Sequence, residues 1–392
     1  MSRPIIVSGV GCCLVDRIFN GMDFTSPTFS TYLSKKPSDG GLVPGKLEFE
    51  ENFEQFAGKR FPEILTELTQ GKPADNENIG GPAIVALINT AQLTQEKADV
   101  RFYGCYGDDA VGQQLLALLG RTPINLVGYT RVPGSETAST SVFSDPNYDE
   151  GNGERIFVNT IGASWQLLPE SITDEFYQSD ICLFGATAIV PKIHEALDTL
   201  VPKAKEQGAL TVVTTVYDTL NERKQLERWP LGASDETYRH TDLLITDHEE
   251  ALRLSGKQTV EEALEFFREK GTGAAIVTHG SKNVLLYADS PLFGHIAPMK
   301  MPVSAAVGER LKSGVKGDTT GCGDNFAGGV VASLVDQKAA GANSSLDLIE
   351  ACRWGIISGG FTCFCLGGTY YEKQPGEKRA QLEELYEAYL QQ

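Results

Sequence analysis

Asp318-Thr319-Thr320-Gly321-Cys322-Gly323-Asp324 sets two glycines and a carboxylate at what reads as the start of a helix, Asn325 through Val335. Glycine lets the backbone approach a ligand closely and adopt angles closed to other residues. A helix N-terminus offers N–H groups without intrahelical partners and the positive end of the helix dipole, which together bind phosphate. An acid at such an anion site can accept the proton of a hydroxyl attacking the phosphate. The stretch therefore reads as a phosphoryl-transfer site. The plainer alternative is a Gly-rich turn capping a core helix, since Asp is a common N-cap.

Outward from this stretch the chain alternates strand and helix. Ile5 to Gly9 is a short β-branched run, and Val100 to Tyr106 a strand followed by a helix from Asp109 to Leu119. Strands are expected near Ile181–Phe184, Leu210–Thr215, Leu243–Thr246, Ala274–Thr278 and Asn283–Ala288, with helical stretches between them. That rhythm predicts an α/β fold, a mainly parallel sheet with helices on both faces. Helices are also expected at Phe61–Thr69, from near Pro82 to Leu93, from Ser345 to about Phe364, and at Glu377–Leu390. Thr137–Ser144 and Arg155–Asn159 alternate polar and apolar residues around a turn rich in breakers, residues 145–153, and predict a hairpin projecting from the core. Residues 17–79 differ from the rest in their Ser, Pro, Gly, Phe and charge content.

The 392 residues are 41% hydrophobic, enough for a sizeable core. A net charge of −18 should repel nucleic acid and anionic membranes. An anionic substrate then needs a local positive site, such as a helix end or a bound cation. The eight cysteines are too irregularly spaced for a zinc pattern. The N-terminus runs from Met1-Ser-Arg-Pro straight into an apolar strand without a signal-peptide core, and no apolar run is long enough to span a bilayer. A soluble cytoplasmic protein is expected.

The opening stretch closely resembles the D-T-x-G-x-G-D signature of the ribokinase-like (PfkB) family of sugar and nucleoside kinases. Tyr103-Gly104-Cys-Tyr-Gly107-Asp108-Asp109-Ala-Val-Gly112 is similar to that family's other signature, G-x-x-G-x-D-x-x-G. Gly9-Val-Gly11-Cys-Cys-Leu-Val-Asp16 follows the first strand and resembles the variant found in the adenosine-kinase-like branch, as does Gly368-Thr-Tyr-Tyr-Glu-Lys373. Weaker likenesses keep the family's order. Asn78-Ile-Gly80-Gly81 matches its G-G motif, Thr246-Asp247-His-Glu-Glu250 its N-x-x-E motif, and Val277-Thr278-His-Gly280-Ser-Lys-Asn283 its T-x-G-x-x-G turn.

The resemblance implies one ribokinase-like domain over residues 1–392, a three-layer α/β/α sandwich with a small β lid from parts of 17–60 and 132–163. It implies transfer of the ATP γ-phosphoryl group to a hydroxyl, in all expectation a primary alcohol, of a sugar. A nucleoside is the alternative acceptor, and a non-catalytic binding protein of the same fold a third reading. Asp324 would be the base, with Gly321, Cys322 and Gly323 lining the anion hole. Asp16, Gly80 and Gly81 would orient the acceptor. Thr278, Gly280, Asn283, Asp247 and, from the opening stretch, Thr320, Gly321 and Gly323 would meet the nucleotide. Glu250 and Asp247 would hold Mg²⁺ through water, a mode that suits this ion, and Asp318 would be one ligand of a monovalent cation such as K⁺. The lid could close over its own site or pair with another lid in a homodimer.

The sequence departs from the family at three positions. Val85 stands where an Asn helps to hold ribose, Asp247 replaces an Asn, and Asn283 replaces a Gly, a substitution that Asn tolerates if the turn is left-handed. His279 is read as packing or pocket wall. Phe19, Phe24, Phe29, Tyr32 and Phe157 could stack on a base or form the lid's own core. Residues 40–46 have P-loop spacing but end in Leu47, where a Ser or Thr must bind Mg²⁺, and are rejected.

Overall fold

Among the residues described by the computed structural model (3–37, 39–151, 153–314, 317–342 and 345–392), fourteen strands form two sheets. Met1 and Ser2 of the N-terminal reading and Asn152 of the expected turn lie outside the described residues.

The large sheet has seven parallel strands: β1 (Ile5–Val10), β5 (Ala98–Gly107), β6 (Asn125–Val132), β9 (Ile181–Gly185), β10 (Leu210–Thr214), β11 (Leu243–Asp247) and β12 (Ala274–Thr278). Antiparallel β13 (Val284–Ser290) and β14 (Gly294–Met301) extend one edge, giving the order β14-β13-β12-β11-β10-β9-β1-β5-β6. Strands β9 and β10 are buried at every residue, as parallel strands covered on both faces must be. Their side chains alternate between two cores. Ile181, Leu183, Val212 and Ile276 face the helices Pro82–Thr94, Cys322–Ala339 and Leu348–Thr362, while Cys182, Phe184, Val213 and Val277 face the opposite helical layer. This is the expected α/β/α sandwich.

The second sheet has the order β3-β8-β7-β2-β4, from Leu47–Phe49, Glu154–Thr160, Ser139–Asp145, Leu14–Asn20 and Asn76–Gly80. It carries a separate core, in which Phe19, Phe24, Phe29, Tyr32, Phe53 and Phe143 are buried together. The aromatic residues of the 17–60 stretch thus pack on each other, with Phe24 and Phe29 ring centroids 4.9 Å apart.

Five strands escape a pattern reading, one of them the three-residue β3. In β2 and β4, Leu-Val-Asp-Arg-Ile-Phe-Asn and Asn-Glu-Asn-Ile-Gly are too polar, and Asp16 sits inside β2 rather than at a strand end. At the sheet margins β6 and β14 are largely exposed, and β14 holds Pro298, which an edge tolerates. The helix after the opening stretch begins at Cys322, three residues before Asn325, because Gly321 at φ +74° serves as its N-cap.

Candidate functional site

The loop 318–321 is held by its own backbone. Asp318 accepts from the Thr320 N–H (2.7 Å) and the Gly367 N–H (3.1 Å), which ties the loop to residues 366–368. A Cβ on Gly321 would come within 2.5 Å of Gly368 Cα, so the two glycines permit the close approach. Val85, where an Asn was expected, is buried and would stand 3.3 Å from a Cβ on Gly368, making it the floor under this contact. The N–H groups of Cys322, Gly323 and Asp324 open the helix and have no intrahelical acceptor. Cys322 N–H makes a long bond of 3.3 Å to the Thr319 carbonyl, and Gly323 is exposed. The Cys322 thiol points away to Cys363, Sγ to Sγ 3.4 Å.

Asp324 is half-buried, and burial pushes its carboxyl up to about 7. Asp16 reaches the same place from β2, between Asn78 on β4 and Thr140 on β7. Its carboxyl is also pushed up to about 7, by burial first and then by the charge of Asp324. A Cβ at Gly80 would strike Asp16 Oδ2 at 2.2 Å, so only glycine leaves room for this carboxylate. Gly81, at φ +103°, turns the chain into the helix Pro82–Thr94.

Asp247 and Glu250 form a capping box, with Glu250 N–H donating to Asp247 Oδ1 at 2.8 Å. Glu250 is buried and accepts from the Thr215 hydroxyl, whereas Asp247 is exposed. Burial, then the charge of Asp247, pushes Glu250 up to about 8, with a smaller contribution from Asp324. Thr278 pairs with Asp247 across β11 and β12. Gly280, at φ +54°, and exposed Asn283 follow in the next turn. Asn283 is not left-handed, so the tolerance of Asn for that conformation is not called upon; Gly280 alone takes it in this turn. His279 stacks on His248 with ring centroids 3.9 Å apart, a wall beside the capping box.

Asp324 thus lies within electrostatic reach of both Asp16 and Glu250, Asp16 also within reach of Asp318, and Asp247 beside Glu250, with Thr278 paired to Asp247. No ion pair among the described residues involves Asp16, Asp247, Glu250 or Asp324. Such crowded acids fit a divalent cation. No group of three or more His, Cys, Asp or Glu among the described residues is placed to hold one directly; of the expected pair, Glu250 is buried and Asp247 exposed. Asp318 fits a monovalent cation less well. Both its oxygens have backbone donors, and the Arg155 guanidinium stands 3.7 Å from it.

Arg155 is the residue that sequence reading missed. It projects from β8 across the cleft and donates to the hydroxyls of Thr319 and Thr320. A lone arginine in an alternating hairpin strand carries no local signal; only the packing of the small sheet over the 318–321 loop reveals it.

A model of the pfkB family of carbohydrate kinases matches residues 63–374. Probable fructokinase-4 of Arabidopsis thaliana is 26% identical over 290 residues, which cover 70% of this chain and 79% of that one. Among solved structures, adenosine kinase from Sinorhizobium meliloti is similar with a TM-score of 0.70 at 20% identity, over 97% of this chain and 99% of that one. Arabidopsis thaliana ribokinase complexed with ribose and ATP gives 0.62 at 17%, over 98% and 99%. These two likenesses speak for the fold, and the family match for the chemistry. With most of its length matched, the chain belongs to the pfkB family of carbohydrate kinases, phosphotransferases with an alcohol group as acceptor.

Proposed function

We propose that this protein transfers the γ-phosphoryl group of ATP to a hydroxyl, a primary alcohol, of a sugar, with Asp324 as the base. The single observation that carries this reading is the placement of Asp324 in the first turn of a helix whose leading N–H groups are free of intrahelical acceptors, with Arg155 bonded to Thr319 and Thr320 just before that turn. A carboxyl near pKa 7 is suited to take the proton of the attacking hydroxyl at neutral pH. The N–H groups at Gly321–Gly323 and the helix dipole offset charge developing on the transferred group. Arg155 adds a full positive charge from the other side. Asp16, with the backbone at Gly80–Gly81, orients the acceptor. Thr278, Gly280, Asn283 and Thr320 receive the nucleotide. Mg²⁺, when held through water by Glu250 and Asp247, supplies charge neutralisation at the phosphates. The small sheet acts as a lid that excludes water and so suppresses ATP hydrolysis.

A sugar is favoured over a nucleoside because Phe19, Phe24, Phe29 and Tyr32 are consumed in the small sheet's own core. Phe157 lies beneath Arg155, 5.6 Å from guanidinium carbon to ring centre.

The test is ADP release with Mg-ATP against a panel of sugars and nucleosides, with the Asp324→Asn protein alongside. A sugar-dependent signal that falls by about 10²–10⁴-fold in the variant is expected. Normal turnover by a folded Asp324→Asn protein sinks the assignment of the base. A signal from nucleosides alone replaces the acceptor, and silence across the panel with ATP still bound favours a binding protein.

A further inference from the structure

Beneath the anion-binding turn lies a buried ammonium group without a carboxylate partner. Lys378, in the first turn of the helix Glu377–Leu390, is 1% exposed. Its Nζ donates to Asn325 Oδ1 at 2.9 Å and to Gln92 Oε1 at 3.2 Å, and it forms no ion pair among the described residues. Burial holds it down at about 8, against the opposing effect of Cys365 and Glu372. Enclosing a charged amine with only amide acceptors is costly, and packing alone calls for a Met or Leu there.

The amides it touches explain its place. Lysine can only donate, so Asn325 must turn its oxygen toward Nζ and its NH₂ group away. That NH₂ donates to the Gly321 carbonyl at 2.9 Å and to the Gly368 carbonyl at 2.8 Å. The Asn325 N–H also bonds to Gly321 O, at 2.8 Å. Gly321 O is therefore gripped twice from inside. In a trans peptide plane the C=O and the following N–H point in opposite directions, so drawing Gly321 O inward turns the Cys322 N–H to the other side, where its contact with the Thr319 carbonyl is a long 3.3 Å. The Gln92 NH₂ donates to the Tyr370 carbonyl at 2.6 Å, which extends the clamp along the neighbouring loop.

We infer that Lys378 is a positioning residue for phosphoryl transfer: by fixing the Asn325 amide it sets the Gly321–Cys322 and Gly368 peptides, and so the aim of the anion hole. The inference rests on the kinase reading above. A misplacement of about 1 Å at a reacting centre can cost about 10²-fold in rate.

Steady-state kinetics of Lys378→Met, Lys378→Gln, Asn325→Ala and the Lys378→Met/Asn325→Ala double variant test it, beside Asp324→Asn. Lys378→Met is expected to lower kcat by about 10–100-fold, with both KM values changed by less than about twofold. Lys378→Gln keeps a donor toward Asn325 and is expected to recover most of the loss; it also serves if the Met variant does not fold. If Lys378 acts through Asn325, the double variant loses no more kcat than Asn325→Ala alone. Additive losses, or a Met variant with normal kcat, overturn the inference, as does a kcat loss in the Gln variant equal to that of Met. An inactive Asp324→Asn beside a normal Lys378→Met removes this inference alone, whereas a fully active Asp324→Asn removes the kinase reading beneath it.

Discussion

The two sheets meet the cleft on different terms. The large sheet delivers its groups from loops and helix starts: Asp318, the Gly321–Gly323 turn and Asp324 from one, Asp247 and Glu250 from the other. Each is pinned by backbone hydrogen bonds within a few residues or by the buried amides under the turn. The small sheet delivers Asp16 and Arg155 from the interiors of strands, whose positions depend on pairing between segments far apart in sequence. Its aromatic core is separate from the two cores of the sandwich. One half is thus fixed by contacts local in sequence, and the other by pairing between segments far apart in it. Under the proposed function the first serves the phosphates, and the second brings the acceptor-side Asp16 together with Arg155.

Substitutions can break this division. Arg155→Ala is expected to have the largest effect of any change in the small sheet, lowering kcat by about 10²–10³-fold, as for loss of one preorganised donor at developing charge. Arg155→Lys should restore part of it, since charge returns without the fork. If Arg155→Ala instead raises only the KM for the acceptor, the small sheet has no part in the phosphoryl chemistry and the division is sharper than drawn. Asp16→Asn should act mainly on the acceptor, raising its KM by about 10–100-fold, as for a lost hydrogen bond to a charged group. An equal loss for ATP would place Asp16 on the wrong side of the comparison.

The pH dependence joins the halves. Burial raises both Asp16 and Asp324 above the ordinary carboxylate range, to about 7. Both act ionised, so kcat/KM should fall below about pH 7, with a slope approaching two on a logarithmic plot and about one in Asp16→Asn. A single limb near pH 4 would show that burial does not act on these groups in solution. The same shifts run against stability. Where folded values exceed unfolded ones, the native state binds more protons and loses stability as pH rises from about 4 through about 7. Asp324→Asn should therefore melt at a higher temperature than the parent at pH 8, while being inactive. The smallest effect belongs to Cys322→Ala. Only the Cys322 N–H is used, and the thiol points to Cys363, so kcat should change by no more than about threefold, within the range of a surface-like change. A larger loss would give the thiol a role.

The local half was legible because its signals are short-range. Asp318 to Asp324 can be read from glycines, a helix start and an acid at fixed spacing, and the alternating strands follow from β-branched runs. The rest was hidden for identifiable reasons. Arg155 and Lys378 lie far along the chain from the turn they serve, in a hairpin and a C-terminal helix whose patterns suit solvent as well as a site. Asp16 was read at a strand end because β2 pairs with β4 and β7 through polar residues that carry no hydrophobic period. In the turn where Asn283 replaces a glycine of the family, the left-handed residue is Gly280, three residues earlier, since glycine takes that conformation without strain.

The central place of β1 bears on how the chain is made. Ile5–Val10 precedes both of its neighbours in the chain, since it lies between β5 and β9, whose residues begin at Ala98 and Ile181. At about 5–20 residues per second, a ribosome needs on the order of ten seconds or more to supply both neighbours. Throughout that interval an apolar strand has both edges open, so the nascent chain is most exposed to aggregation and to chaperone capture until β9, ending at Gly185, has been translated.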